Sequence, residues 1–477
     1  MNLYKLFEDI KMPDFSDREV SLITDDSRKI QEDCVFFCVK GGSFDGHTKA
    51  EEAIQKGAAA VVTEKDMGLP RQIIVESSRK AYGTACAAWF DHPERKLKFI
   101  GVTGTNGKTT MTNVIKHILT YAGFKTGLIG TIHNEIGNQI VSTQNTTPMA
   151  YEYMSLLDRM VKEKCDVVIM EVSSFGLVQY RTGPTKFDIS VFTNLTQDHL
   201  DYHKTMEEYF KAKKMLFDIS DVSVCNIDDS YGKRLYDEIK TEKYTFSRKE
   251  KADFYAHNIS LEDDKTSFTF EHHGGASDIS VAMTGMFNVE NITAAAAVCS
   301  MFGVSDEDIV RALSECKGVK GRCEIIPTGR DFTVICDYAH TPDALENVLS
   351  SIKEYCDGRL ICLFGCGGNR DSQKRPLMAQ AAAEYADMLV ITSDNPRDEE
   401  PEDIISDILK GLDKCKCPYI TVTDRKEAII KALSLARKDD IILLAGKGHE
   451  DYQVLRDNVH IHFDEREIVA EGLTLLK

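Results

Sequence analysis

Residues 99–110 read FIGVTGTNGKTT. An apolar run, Phe99, Ile100 and Val102, stops at a loop dense in glycine, threonine and asparagine that ends in Gly107, Lys108 and Thr109. That order is a strand feeding a helix N-terminus through a loop able to hold phosphate. Glycines let backbone N–H groups converge on an anion, and the helix dipole favours its negative charge. In such a loop Lys108 reaches the β- and γ-phosphates and the Thr109 hydroxyl ligates Mg²⁺. The general pattern G-x-x-x-x-G-K-[ST] asks for glycine at 102, where this chain has Val102, so the loop is a special form.

Four further groups of residues carry chemistry. In residues 206–217, MEEYFKAKKMLF, the positions of Met206, Tyr209, Phe210, Leu216 and Phe217 fall on one arc at 100° per residue, and Lys213 sits inside that arc. The bland alternative is a lysine snorkelling from the edge of the stripe. The chemical one is a desolvated amine of depressed pKa, able to add CO₂ and become an anionic carbamate ligand for Mg²⁺. Asp198 and His199 follow a predicted strand, at the sheet edge where such folds bind ligands. Glu171 closes another strand, where its carboxylate suits Mg²⁺ opposite the phosphate loop; alternatively it is an exposed strand end. Residues 145–148, NTTP, are a polar turn whose hydroxyls and amides suit a sugar or diphosphate.

The last group lies in the C-terminal third. DYAHTP (337–342), GCGGNRD (365–371), DNPR (394–397) and GKGHE (446–450) each follow a predicted strand, with KRP (374–376) between them. Parallel strands bring their carboxyl ends together, so these polar ends make one site. Arg375 and Arg397 offer carboxylate forks, and Asp394 and Glu450 accept from an amine. That mix suits a zwitterionic amino acid.

The elements that position these groups are an α/β set. Residues 35–39 and 59–63 read as strands, 47–57 and 79–90 as helices, and the polar stretch 91–96 as a linker. From 97 the pattern is βα: a helix over about 108–122 and strands at 166–172, 189–194 and 222–227. Near-continuous apolar strands of this kind belong to parallel sheets covered on both faces. Past Gly321 and Arg322, strands at 332–337, 360–365, 388–393, 419–422 and 441–445 read as a second doubly wound domain. With 477 residues the chain holds about three domains. They are expected at 1–97, 98–322 and 323–477: an N-terminal α/β domain, a central P-loop domain with a parallel sheet, and a C-terminal Rossmann-like α/β domain.

The formal charge of −18 argues against nucleic-acid or anionic-membrane surfaces. No apolar run approaches a membrane span. The acidic residues in the amphipathic pattern of residues 1–12 do not suit a signal peptide. A cytoplasmic monomer acting on small molecules is expected. Most of the fourteen cysteines fall in apolar segments, as reduced buried thiols do; Cys415 and Cys417 lack partners at zinc spacing.

VTGTNGKTT, NTTP, EVSS, TQDHLDYH, AKKMLF, Gly321-Arg322, DYAHTPD, KRPLM, DNPR and GKGHE occur in this order along the chain. In these motifs the chain resembles the Mur ligase family, in its MurE branch, over its whole length. The resemblance implies condensation of ATP, an amino acid and UDP-N-acetylmuramoyl-L-alanyl-D-glutamate in peptidoglycan synthesis. It implies that Gly104, Thr105, Asn106, Gly107, Lys108, Thr109 and Thr110 bind the ATP phosphates, with Asn291, Arg322 and Asp337 placing ATP across the domain junction. Glu171 and His199 would hold Mg²⁺ with Lys213 as N6-carboxylysine, so that Lys108, His199 and Lys213 form the catalytic group. Ser27 would contact the uridine nucleotide, and Thr146, Thr147, Ser173, Gln179 and Arg181 the muramyl dipeptide. Arg375, Asp394, Asn395, Pro396, Arg397, Gly446 and Glu450 would bind the incoming amino acid. DNPR resembles the form that adds meso-diaminopimelate, whose distal carboxylate Arg397 can take bidentately. Weaker matches are the lysine-adding relative, a folylpolyglutamate synthetase and, in another class, a nucleotide-gated switch. The chain departs from the family at Phe175, where histidine is usual, so no catalytic role is carried over to that position.

Overall fold

The computed structural model describes residues 1–9, 17–42, 44–262, 265–413 and 415–476; the last part of the N-terminal amphipathic stretch, 10–12, lies outside them. Three sheets follow one another along the chain. The first is four-stranded and wholly parallel: Leu22–Thr24, Cys34–Phe37, Ala60–Thr63 and Gln72–Ile74. Its two middle strands are buried along their whole length, as strands covered on both faces must be.

The central sheet has eleven strands. Its middle is parallel, and Lys98–Thr103 lies between Val167–Glu171 and Phe187–Phe192. Register pairs Val102 with Glu171 and Thr103 with Phe192, so three strand ends open at one point. Both flanks are antiparallel extensions, through Asn134–Ile136 and Gln139–Val141 on one side and Phe254–Leu261, Thr266–His272 and Gly275–Val281 on the other. The last three strands alternate buried and exposed residues, because a sheet edge with one wet face needs apolar side chains on the other face only. The buried helix Met286–Met301, rich in alanine, packs against the phosphate-loop helix Lys108–Tyr121.

The third sheet has six strands, in the order Glu324–Ile326, Thr333–Asp337, Ile441–Ala445, Leu360–Phe364, Met388–Ile391 and Tyr419–Thr421. Only the first is antiparallel to its neighbour. A separate hairpin, Tyr452–Leu455 with Val459–His462, follows. Among the described residues, no helix is long and apolar enough to cross a membrane.

One local expectation is corrected and another is sharpened. The helix expected over 206–217 ends at Lys214, and Phe217–Ile219 forms a 3₁₀ turn; Leu216 and Phe217 are buried all the same. The stretch 91–96, expected as a linker, does join the first and central sheets, but it is packed rather than loose. It carries the 3₁₀ turn Pro93–Arg95, packed on the central helix Ala150–Lys162, and buries His92 and Glu94.

Candidate active site

The phosphate loop is built by close approach. Gly104 has φ +150°, and a Cβ there would lie 1.8 Å from Thr193 Oγ1; at Gly107 (φ +87°) it would lie 2.4 Å from Asn291 Oδ1. Only glycine fits both positions. The loop is then held from the neighbouring strand end: Thr105 N donates to Asn194 O (2.9 Å), Asn106 N to Asn194 Oδ1 (2.9 Å), and Thr193 Oγ1 to Asn106 O (2.6 Å). Lys108 Nζ folds back onto Gly104 O (2.9 Å) and Thr105 O (2.7 Å). Its pKa is lowered by burial and by the nearby Arg322.

Lys213 is 1% exposed. Its Nζ donates to Gly104 O at 2.7 Å and lies 4.5 Å from the Tyr209 ring centroid. Two lysine amines therefore share one carbonyl oxygen. Two ammonium groups so placed repel, and burial followed by the charge of Lys108 drives the Lys213 pKa well below the ordinary value. Across the cleft Glu171, 1% exposed, accepts from Thr109 Oγ1 (2.9 Å), Thr131 Oγ1 (3.0 Å) and Thr131 N (2.8 Å). A Cβ on Gly130 would come within 2.6 Å of this carboxylate. The carboxylate and the threonine hydroxyls are oxygen donors that suit a hard dication. His199 stands at the rim in a left-handed turn, its ring 5.1 Å from Phe175.

These groups line one cleft of about 650 Å³, which also takes in Asn291, Arg322 and Asp337. The domain junction and the third domain both reach the loop. Arg322 Nη2 donates to Thr109 Oγ1 (3.1 Å), and Asp343 Oδ2 accepts from Asn106 Nδ2 (3.0 Å) and Thr196 Oγ1 (2.7 Å). Asp337 is buried, which raises its pKa, and it accepts from Cys323 N and Ala339 N. The signal for Asp343 was present in the sequence: it is the last residue of DYAHTPD.

Thr146 and Ser173 line the same cleft. Thr147, Gln179 and Arg181 form a network just behind it. Thr147 Oγ1 accepts from Ser173 N (3.0 Å) and Arg181 Nη1 donates to Thr147 O (2.9 Å), while Arg181 forks onto Gln179 Oε1. Ser27 stands apart, in the 3₁₀ turn Ser27–Lys29 of the first domain, whose N-cap Asp26 holds Arg28 bidentately. Phe175 packs against Tyr202 (4.3 Å) and His203 (5.5 Å), and His203 shares a hydrogen bond with Ser174 Oγ. An apolar ring thus occupies the place of the expected imidazole.

The amino-acid set gathers at the third sheet's edge, outside the lining of that cleft. Its hub is Lys447, which is fully buried and which the motif reading passed over although GKGHE contains it. Lys447 Nζ donates to Asn395 Oδ1 (2.6 Å) and Tyr452 O (2.8 Å) and lies 3.3 Å from both Asp394 Oδ1 and Glu450 Oε2. Burial would raise the Asp394 pKa, but Lys447 and Arg425 hold it below the usual value. Asn395 Nδ2 donates to Glu450 Oε2 (3.0 Å), and Glu450 Oε1 lies 3.5 Å from Tyr338 Oη, which leads back to the cleft. Gly446, at φ +116°, starts the turn that carries Lys447.

The two expected forks differ. Arg375 is 2% exposed and its guanidinium is engaged by Glu399 (2.8 Å) and Asp407 (2.9 Å). Arg397, next to Pro396, donates only to the carbonyls of Gly368 and Asn395, and among the described residues no carboxylate pairs with it. Lys447→Met should cost about 3–5 kcal/mol by stranding Asp394 and Glu450. A chemical-denaturation midpoint checks this; an unchanged midpoint would remove Lys447 as the hub.

Three family models match the chain in order: "Mur ligase family, catalytic domain" over residues 19–95, "Mur ligase middle domain" over 102–299, and "Mur ligase, glutamate ligase domain" over 321–448. The chain is 46% identical over 458 residues to a UDP-N-acetylmuramoyl-L-alanyl-D-glutamate--2,6-diaminopimelate ligase of Clostridium acetobutylicum, covering 95% of this chain and 94% of that one. It is 46% identical over 461 residues to the ligase of the same name from Clostridium tetani, with the same coverage. A solved diaminopimelate ligase superposes with a TM-score of 0.70 at 31% identity, over 96% of this chain and 95% of that one. MurF of Acinetobacter baumannii shares the fold, with a TM-score of 0.63 at 19% identity over 99% and 98% of the two chains. With three family models matched in order along its length, this chain belongs to the Mur ligase family.

Proposed function

We propose that the chain is an ATP-dependent ligase that joins meso-2,6-diaminopimelate to UDP-N-acetylmuramoyl-L-alanyl-D-glutamate in peptidoglycan synthesis. One observation carries the reading: a phosphate loop with an adjoining carboxylate lies in a cleft lined by Tyr338, whose hydroxyl leads to a cluster of opposite charges, Asp394, Glu450 and Lys447, beside Arg397. The diaminopimelate ligases that the chain resembles point the same way.

In this reading the substrate's γ-carboxylate attacks the γ-phosphorus of ATP, giving an acyl phosphate and ADP. The amine of diaminopimelate then displaces phosphate. Lys108 leaves its two loop carbonyls for the phosphate oxygens, the loop amides cradle them, and Arg322 adds charge from the domain junction. Thr109, Glu171, His199 and a carbamylated Lys213 are the residues that would hold Mg²⁺, which neutralises charge on those oxygens. Thr146, Thr147, Ser173, Gln179 and Arg181 hold the dipeptide side, and Ser27 the uridine end. Asp394 and Glu450 take the amine of the incoming amino acid, and Arg397 its distal carboxylate. Arg375 acts on the amino acid only if that substrate displaces Glu399 or Asp407; otherwise it steadies the DNPR loop.

The test supplies ATP, Mg²⁺, the UDP-linked dipeptide and an equal mixture of meso-diaminopimelate and L-lysine. The expected product is the diaminopimelate tripeptide with one ADP per amide. A lysine product would replace the specificity assignment, and ATP turnover with no amide would replace the ligase reading.

A further inference from the structure

The two loops that carry the amino-acid set leave strands that do not pair. Asp394, Asn395 and Arg397 follow Met388–Ile391, and Lys447 and Glu450 follow Ile441–Ala445; Leu360–Phe364 lies between those strands. One buried side chain bridges the bases of both loops. Arg425 Nη1 donates to Ser393 O (3.2 Å) and Nη2 to Ala445 O (2.8 Å), the carbonyls immediately before Asp394 and Gly446. Glu465 takes the rest of the guanidinium: Nε lies 2.9 Å and Nη2 2.8 Å from its Oε1. Both side chains are fully buried. Arg425 opens the helix Arg425–Leu435, Glu465 opens the helix Glu465–Leu475, and the two helices pack on each other. A Cβ on Gly446 would stand 3.8 Å from Asp394 Oδ2 and 3.9 Å from Arg425 Nη2, so the carboxylate and the guanidinium share one side of that turn.

We propose that Arg425, locked by Glu465, is a positioning residue for the incoming amino acid, setting the distance between the loop of Asp394 and Arg397 and the loop of Lys447 and Glu450. This role rests on the ligase reading above and adds to it a residue that does not itself touch substrate. Stability gives the pair no advantage. A cation in the first turn of a helix opposes the helix dipole, and apolar residues of similar volume often replace a buried ion pair without loss. What such residues lack is a planar fork that meets two carbonyls and a carboxylate at once. A local choice that runs against stability and converges on a binding site marks a functional constraint. The charge acts as well as the shape. Asp394 is faced by Lys447 at 3.3 Å, by Arg425 and by His340, with Glu450 beyond Lys447. Tyr338, Tyr452 and Cys366 also face it, each with its pKa raised by burial and so neutral. Burial pushes the Asp394 pKa up, and Lys447 followed by Arg425 pulls it below the usual value, which keeps the carboxylate ionised for an amine.

The experiment compares Arg425→Met/Glu465→Leu and Arg425→Lys with the full-length wild type in steady-state ligation, varying one substrate at a time across a range of pH. The wild type alone tests the function. Whichever of meso-diaminopimelate and L-lysine it ligates is then used for every variant, so a wrong specificity and a wrong role for Arg425 give different results. The double variant removes both charges together and should melt close to the wild type. Its KM for the amino acid should rise at least about tenfold, with the KM values for ATP and the UDP-linked dipeptide unchanged. Without Arg425 the Asp394 pKa rises, so the acid limb of kcat/KM for the amino acid should move to higher pH. Arg425→Lys keeps the charge without the fork: its acid limb should stay in place while its KM still rises. Lost packing alone lowers the melting temperature and does not move the limb of one substrate. An unchanged amino-acid KM in the double variant, or a rise shared by all three substrates, would overturn the assignment. If the double variant melts early, Arg425→Lys decides by the same KM comparison.

Discussion

Lys213→Ala is expected to lower kcat by at least about 100-fold, with partial recovery when a small carboxylic acid such as formate is added. The argument starts from the shared carbonyl. Gly104 O receives both Lys108 Nζ and Lys213 Nζ, and Lys213, 1% exposed, has almost no surface from which to hydrate a charge. Desolvation, then repulsion from Lys108, favours the neutral amine. The sign is that of a lowered lysine pKa: at any pH below the ordinary value, more of this amine is unprotonated than on a surface lysine. An unprotonated amine adds CO₂ and releases one proton to solvent, and the resulting carbamate anion faces Lys108 with attraction where the ammonium met repulsion. An added acid in the hole left by alanine restores the anion without the side chain. Lys213→Arg keeps a cation, leaves no hole and should not be rescued. Protein equilibrated with ¹³C-bicarbonate should show a carbonyl signal that Lys213→Ala lacks. Full activity of Lys213→Ala without any acid would remove the carbamate from the mechanism.

Lys213 was legible because burial on a helix follows a period. Its place among Tyr209, Phe210, Leu216 and Phe217 required a buried face, and the face is buried even though the helix stops at Lys214. The parallel strands were legible as continuous apolar runs for the same reason. The antiparallel strands over 254–281 were not, because each shows only half its residues to the core and their polar content reads as loop. The burial of His92 and Glu94 within the expected linker was not legible, because polar residues cancel one another's burial cost only in three dimensions, by pairing with partners distant in sequence such as Glu8. The same limit hid Lys447: a lysine inside a glycine-rich turn gives no sign that four acceptors converge on it. Arg375 and Arg397 show the limit from the other side. As sequence they are two equal forks, and only the fold gives one of them to Glu399 and Asp407.

That difference makes Arg397 the residue whose loss should change specificity. Its guanidinium is held by two backbone carbonyls beside Pro396, in a left-handed turn whose amide donates to Val454 O. Carbonyl bonds orient a cation without neutralising it, so the fork keeps its attraction for a carboxylate. Diaminopimelate carries a second carboxylate at its far end and lysine carries none; facing Arg397, the lysine side-chain ammonium would meet like charge. Removing one partner of a desolvated charge pair costs about 2–5 kcal/mol. Arg397→Ala should therefore raise the KM for meso-diaminopimelate about thirtyfold or more, leave the KM for ATP unchanged, and narrow the preference over L-lysine from both directions. Arg397→Lys should recover only part of the loss, since a single ammonium cannot make the paired bonds of a guanidinium. Arg375→Ala provides the contrast: it strands Glu399 and Asp407, so its first effect should be a lower melting temperature. An Arg397→Ala enzyme with an unchanged diaminopimelate KM would place the distal carboxylate elsewhere.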